Sequence, residues 1–274
     1  MHPMIKSAGP LKLHTFGNLV TMPNLVHFVT TRAGGFSLPP YNTLNLGLHT
    51  ADNPVHVSAN RARLARETGI DPDKFLYASQ VHSGDVKVID QDAIEKGILL
   101  EAPQTDATIT NLPGICLMVM VADCVPVILF DPEKRVCAVV HAGWRGTVHH
   151  ITTNTILAMK SQFGCNPAQI LAGIGPSIGP CCYEVGDDVK TVVEQSFGTT
   201  EGYLVRKEHS PKPFFDLWYA NHKQLTDAGL QPKNIETAQL CTQCHSDTFF
   251  SSRAGKGITG RFAAGICMLT GEIQ

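Results

Sequence analysis

The stretch GICLMVMVADCVPVILFDPEKRVCAVVHAGWRGT, residues 114 to 147, decides how the rest of the chain is read. It holds three apolar, β-branched runs, at 115–121, 125–130 and 135–141, with the turn sequence DPEK between the last two. A strand with one wet face alternates apolar and polar residues. These runs are apolar on both faces, which requires a sheet covered on both sides. After the third run, GWRGT opens into VHHITTNTILAMKSQFG, whose pattern predicts a helix with Thr147 as N-cap and Gly164 near its end.

Working outward, residues 55–68 read as a helix with basic residues along one side, GIDPDKF as its exit turn, and residues 76–81 as a strand. On the other side a strand is predicted at 170–174, then the Gly/Pro-rich loop GPSIGPCC, helices near 187–196 and 217–228, and a last strand at 262–268. Helices and strands interleave around a central hairpin, so the prediction is an α+β fold with mixed sheets rather than a purely parallel doubly wound one. No repeat, low-complexity segment or polar linker interrupts the chain, and residues 1–274 are read as one domain.

Of the 274 residues 43% are hydrophobic and 17% charged, with a formal charge of −2 and no run of like charges. That balance argues against a nucleic-acid binder or a polybasic membrane anchor. No signal peptide is legible at the start, and no segment approaches the ~18 apolar residues of a membrane span, so a cytoplasmic protein is expected. Nine scattered cysteines, an odd number, are expected to be reduced thiols. The spacing Cys241-x-x-Cys244-His245 resembles a c-type haem attachment, which the missing export signal disfavours. It also resembles half a zinc ribbon, but no second pair follows Cys244. These cysteines are read as small packing residues.

If residues 131–134 form a four-residue hairpin loop, Phe130 faces Arg135 and, six steps outward, Cys124 faces His141. A thiolate and an imidazole so placed can share a metal ion, and equally they can be a packing cysteine and a core histidine. His82, in QVHSGDV, is the candidate third ligand. Two His and one Cys leave a fourth position open, the pattern of a catalytic rather than a structural zinc. Arg145, in a Gly-flanked turn before a helix, is a candidate anion-binding residue. Asp123 points to the opposite face of an ideal strand and can act only if Pro126 or a bulge re-aims it.

The motifs QVHSGDV (80–86), ADCVPVILFDP (122–132), VVHAGWRGT (139–147), GPSIGPCCYEV (175–185), FDLWYANHKQL (215–225) and CTQCHSDTFFSSR (241–253), with TTRAGGFS (30–37) and NLGLHTADNPVHVSANR (45–61), resemble the YfiH/YlmD family. The resemblance runs along nearly the whole chain. It implies a layered α+β sandwich with central mixed sheets and zinc ligands at His82, Cys124 and His141, around which Cys124, Asp123 and Arg145 are the candidate catalytic residues. It further implies phosphorolysis of adenosine, inosine, guanosine or methylthioadenosine, and deamination of adenosine. The His-x-Glu and Pro-Cys-x-x-Cys signature of base deaminases is absent. A proton shuttle must therefore come from elsewhere, with Asp123, Asp85 and Glu184 as candidates. Arg32, Arg61 and Arg145 are candidate phosphate ligands, and Asn45 and Gln80 candidate substrate contacts. Cys244 and His245 are expected to carry no fixed chemistry.

Two other chemistries compete. The family's older label is a copper-dependent phenol oxidase, but none of the 12 histidines forms a His-x-His pair of the kind that builds a trinuclear copper cluster. Copper can still enter a Cys-His-His site, since its affinity for such ligands exceeds that of zinc. A cysteine hydrolase would use Cys124 as nucleophile and His141 as base. A second His converging on the sulfur, as third ligand, favours metal, whereas a fourth protein ligand would make the site structural. The expected partners are purine nucleosides and phosphate, with no nucleic acid or membrane, and the sequence does not set the oligomeric state.

Overall fold

The computed structural model of the chain describes residues 5–9, 11–98, 103–208 and 210–271. Its strands are β1 (Ile5–Ala8), β2 (Leu11–His14), β3 (Leu25–Thr30), β4 (Phe75–Tyr77), β5 (Val86–Val88), β6 (Ala107–Thr110), β7 (Cys116–Val121), β8 (Val125–Asp131), β9 (Val136–Ala142), β10 (Leu171–Ile174), β11 (Leu204–Val205), β12 (Phe214–Phe215), β13 (Ile235–Thr237) and β14 (Phe262–Met268). The helices are α1 (Gly17–Val20), α2 (Pro54–Thr68), α3 (Gln91–Glu95), α4 (Trp144–Val148), α5 (Ile151–Phe163), α6 (Asp187–Phe197) and α7 (Leu217–Asp227).

Of the two six-stranded sheets, one runs β1-β2-β3-β14-β7-β4 and the other β13-β10-β8-β9-β6-β5, while β11 and β12 pair separately as a small two-stranded sheet. Each large sheet mixes parallel and antiparallel pairs, with β4 parallel to β7 in the first and β5 parallel to β6 in the second. The sheets stack face to face: Val119, Ala264 and Ile266 of the first meet Ile128, Phe130 and Val139 of the second. Outside the first sheet, Leu64 and Ala65 of α2 pack on Leu13, Phe28 and Met118. Outside the second, Ile156 of α5, Val193 of α6 and Leu225 of α7 cover Val127, Leu129 and Val140. This is the α+β layered sandwich predicted, and β8 and β9 are buried on both faces as their composition requires.

The central hairpin differs from its predicted register by two residues. Asp131 pairs with Val136 and Phe130 with Cys137, so His141 faces Pro126 rather than Cys124. The Asp131 side chain is the reason: its Oδ1 accepts the N–H groups of Glu133 and Lys134, both at 2.9 Å, closing the turn one residue later than read, with Arg135 in the left-handed region at φ 50°. A slip of two leaves each side chain on its own face. Cys124 and His141 therefore remain diagonal neighbours on the side that faces the other sheet.

Two further expectations are corrected. The helix predicted from Thr147 begins earlier, with Gly143 as N-cap of α4. His149 and His150 then break it, His150 at φ 57°, before α5 starts. Thr147 lies inside α4 with its hydroxyl accepting from Asn221 Nδ2 at 3.2 Å. The strand predicted at 76–81 stops at Tyr77, and only Ser79 continues as a bridge to Gln104. The chain is thus free to turn at His82.

Candidate metal centre and active-site cavity

His82, Cys124 and His141 come together where the two sheets part, and one ligand atom from each lies within 4.8 Å of the others. His141 is at the end of β9, buried. Cys124 precedes β8, in a link made possible by Asp123 at φ 91°. His82 sits on a loop at φ 61°, with its ring 4.9 Å from that of His141 and nearly perpendicular to it. Left-handed conformations at two non-glycine residues of one site are costly and point to function.

A single carboxylate holds both histidines. Asp106, fully buried just ahead of β6, accepts the Nδ1–H of His141 at 2.7 Å through Oδ1. Its other oxygen accepts the backbone N–H of Ser83 at 2.7 Å and that of Val81 at 3.2 Å, fixing the loop on either side of His82. Because a carboxylate only accepts, Nε2 of His141 is the atom left free to face the sulfur. Gly143 completes the arrangement: a Cβ there would lie 2.9 Å from Cys124 Sγ and 3.2 Å from His82 Cδ2.

The electrostatics follow from this packing. Burial opposes ionisation of Cys124, but the charge and hydrogen bond of His141, with a hydrogen bond from His82, outweigh it and hold the thiol down at about 6. Burial likewise opposes the His141 cation, and the Cys124 thiolate and Asp106 raise it to about 9. For Asp106, burial is again outweighed, here by His141 and the Ser83 N–H, leaving the carboxyl at about 2. The pocket therefore supplies a thiolate without an added base, the state in which cysteine binds metal. Two imidazoles, one thiolate and an aligned carboxylate behind one of them form a donor set that fits a zinc ion, and the side facing the cavity carries no fourth protein ligand among the described residues.

That cavity, about 840 Å³, takes its walls from both sheets and from the loops around them. Arg253, Lys256 and Arg261 give it a cationic side, while Tyr183, Met120 and Ile178 give it apolar surface. Asp123 also lines it, so its backbone does re-aim it; its two oxygens accept from Thr242 Oγ1 at 2.6 Å and the Arg253 N–H at 2.7 Å.

The other sequence candidates are placed differently. Gln80 lines the cavity, but its amide is bound at both ends by the Met120 backbone at 2.8 Å. Asn45 is fully buried, and its Oδ1 accepts the Arg261 N–H at 2.8 Å, so it sits beneath the cavity wall. Arg32 hydrogen-bonds Asn42 and Ser246 and lies over Phe250. Arg61 donates to Leu46 O and stacks on Tyr77 at 3.8 Å, beside a separate groove. Arg145 is exposed and stacks on Trp144 at 4.5 Å, outside the cavity lining. Asp85 is exposed, and Glu184 accepts from Ser210 Oγ at 2.9 Å; neither belongs to the lining.

Sequence reasoning missed Asp106, His49, Tyr183, Arg253, Lys256 and Arg261. Arg253 closes the motif CTQCHSDTFFSSR, and Arg261 follows it in GRF, so both were in view without a reason to select them. Asp106 carried a weak signal as the lone acid opening an apolar run, QTDATIT.

A family model described as multi-copper polyphenol oxidoreductase laccase matches residues 26–269. The chain is 33% identical over 266 residues to a purine nucleoside phosphorylase of Bacteroides thetaiotaomicron, covering 96% of this chain and 98% of that one. It is 36% identical over 244 residues to adenosine deaminase RL5 from an unknown prokaryotic organism, covering 87% and 92% of the two chains. The crystal structure of YlmD from Geobacillus stearothermophilus matches with a TM-score of 0.88 at 31% identity, over 97% of this chain and 99% of that one. Family model, relatives and fold agree along nearly the full length, and the chain belongs to the YfiH/YlmD family of enzymes.

Proposed function

We propose that this chain is a zinc-dependent purine nucleoside phosphorylase acting on adenosine, inosine, guanosine and methylthioadenosine, with a secondary adenosine deaminase activity. The observation that carries the reading is the convergence of His82 and His141 on Cys124 at the floor of a nucleoside-sized cavity with a cationic side. The names of the relatives, a purine nucleoside phosphorylase and an adenosine deaminase, point the same way.

Held by those three side chains, zinc would supply Lewis acidity and, for deamination, an activated water. The protein's own groups do the rest. Asp106 keeps the His141 proton on Nδ1 and the ring turned toward the site. Arg253, Lys256 and Arg261 are the groups available to hold phosphate against the ribose and to offset charge as the glycosidic bond breaks. Asn45 positions Arg261 through its backbone, and Asp123 positions Arg253 in the same way. Met120, Ile178 and Tyr183 offer apolar and aromatic surface for the purine ring. With all nine cysteines unpaired and no helix of the described residues long and apolar enough to cross a membrane, we place the enzyme in the cytoplasm.

A second reading rests on a specific alignment: Cys124, His141 and Asp106 lie in the order of a nucleophile, its base and an orienting acid. His82 speaks against a hydrolase, because a nucleophilic cysteine has no use for a second imidazole on its sulfur. Copper in place of zinc would account for an oxidase. The deciding experiment gives zinc-loaded protein adenosine with and without phosphate, beside a His82→Ala variant, with metal content measured on both. Adenine and ribose 1-phosphate formed only with phosphate, and lost in the variant together with the one zinc ion of the His82 centre, support the proposal. Full zinc occupancy without adenine or inosine overturns it.

A further inference from the structure

Four thiols gather on the far side of the same cavity wall. Cys181 and Cys182 come from the loop after β10, Cys241 and Cys244 from the loop after β13, and the four sulfurs lie within 4.8 Å of one another. Cys244 Sγ is 3.4 Å from that of Cys182 and 3.6 Å from that of Cys181. Zinc with four sulfurs at about 2.3 Å sets them at the corners of a tetrahedron with edges of about 3.8 Å. The four are thus spaced to close on one ion with little movement. An iron–sulfur cluster, which spreads its four cysteines over two or more irons, would need some of them further apart.

Packing does not explain the group. Cys181 and Cys244 are exposed, the reverse of what a cysteine used as a small core residue shows. The two loops are also built to meet. Ser177 N–H donates to Leu240 O at 3.2 Å and Thr242 N–H to Ser177 O at 3.0 Å, bringing Cys241 alongside the first loop. The Gly179 N–H donates to Cys241 Sγ at 3.3 Å, and the Cys244 backbone N–H points at the same sulfur. Backbone donors aimed at sulfur favour the thiolate that a metal needs.

We propose that Cys181, Cys182, Cys241 and Cys244 form a second, structural zinc site, distinct from the Cys-His-His centre and independent of the activity assigned to it. Four protein ligands close the coordination shell, leaving no position for substrate. The site ties together the loops that carry Ile178 and Tyr183 on one side and Thr242, the partner of Asp123, on the other. Sequence alone gives Cys241-x-x-Cys244 as small packing cysteines, because no second pair follows it. The second pair precedes it, as adjacent cysteines.

The test uses protein purified after growth with added zinc. Two zinc ions per chain are expected in the wild type. One should remain in His82→Ala, whose quartet is intact, and one in Cys181→Ser/Cys244→Ser if that variant folds. Cobalt loaded into His82→Ala should give strong sulfur-to-metal charge-transfer absorption with the visible bands of a tetrahedral four-thiolate site. Chelation of that variant should lower its Tm. A His82→Ala protein with no bound metal, whether its quartet is freely alkylated or is lighter by two hydrogens per disulfide, overturns the proposal. Iron rather than zinc in the retained site overturns the assignment to zinc.

Discussion

The trio His82, Cys124 and His141 and the quartet Cys181, Cys182, Cys241 and Cys244 have the same compactness, each with ligand atoms within 4.8 Å of one another, yet they are held in different ways. The trio stands at the edge of the layer between two sheets, with a buried carboxylate behind it and a cavity in front. The quartet stands on two loops joined by backbone hydrogen bonds, with a backbone N–H on Cys241 Sγ and, among the described residues, no carboxylate hydrogen-bonded to its sulfurs. The number of donors and what backs them separate a site built to leave a position open from one built to be filled. A rigid frame is needed only for the first, because an incomplete shell does not organise itself.

The largest contrast between the two is expected in thiol reactivity of the metal-free protein. Cys124, held at about 6 against an ordinary value of 9.0, is mostly thiolate at neutral pH, whereas burial and the neighbouring Cys244 push Cys182 up to about 12. The ionisation that alkylation follows should rise through about pH 6 at Cys124, and at pH 7 mass spectrometry should find Cys124 modified well before Cys182. Equal rates at the two would erase the electrostatic difference.

Replacing the support should come next. Asp106→Asn keeps the shape, removes the charge and lets the wrong His141 tautomer form, so metal affinity at the trio should fall about 10- to 100-fold while the quartet keeps its ion. A competition titration with a chelator measures both sites, and an unchanged trio would mean that the carboxylate is not what holds it. Gly143→Ala presses a methyl onto Cys124 and His82; overpacking of about 1–3 kcal/mol predicts roughly a tenfold loss at the trio alone.

The smallest effect should fall on the two arginines that sequence motifs place near the site. Arg253→Ala removes a cation from the cavity and should raise KM for phosphate about tenfold, the worth of one charged hydrogen bond. Arg145→Ala removes an exposed side chain stacked on Trp144 and should leave kcat/KM within about twofold. The reverse order would show that Arg145 swings into the cavity when substrate is bound.

Amino-acid pattern alone determined the elements with the strongest local signal. The buried runs of β7, β8 and β9, helix α2 between its Asn53 cap and Gly69, and the final strand β14 are all where periodicity and capping put them. That Cys124 and His141 share a face was legible too, since a face assignment has a period of two and survives a register error of two. The strands at residues 5–30 and 86–110 were not read, being short and dependent on neighbours distant in sequence.

Tertiary structure alone decided what surrounds the trio. Asp106 meets His141 across 35 residues, and Arg253 meets Asp123 across 130. The cysteine pairs of the quartet meet only because β10 and β13 lie side by side in one sheet. Local sequence encodes which face a side chain takes, because backbone geometry repeats over two to four residues. Which faces then meet is set by burying all the apolar ones at once, and that is a property of the whole chain.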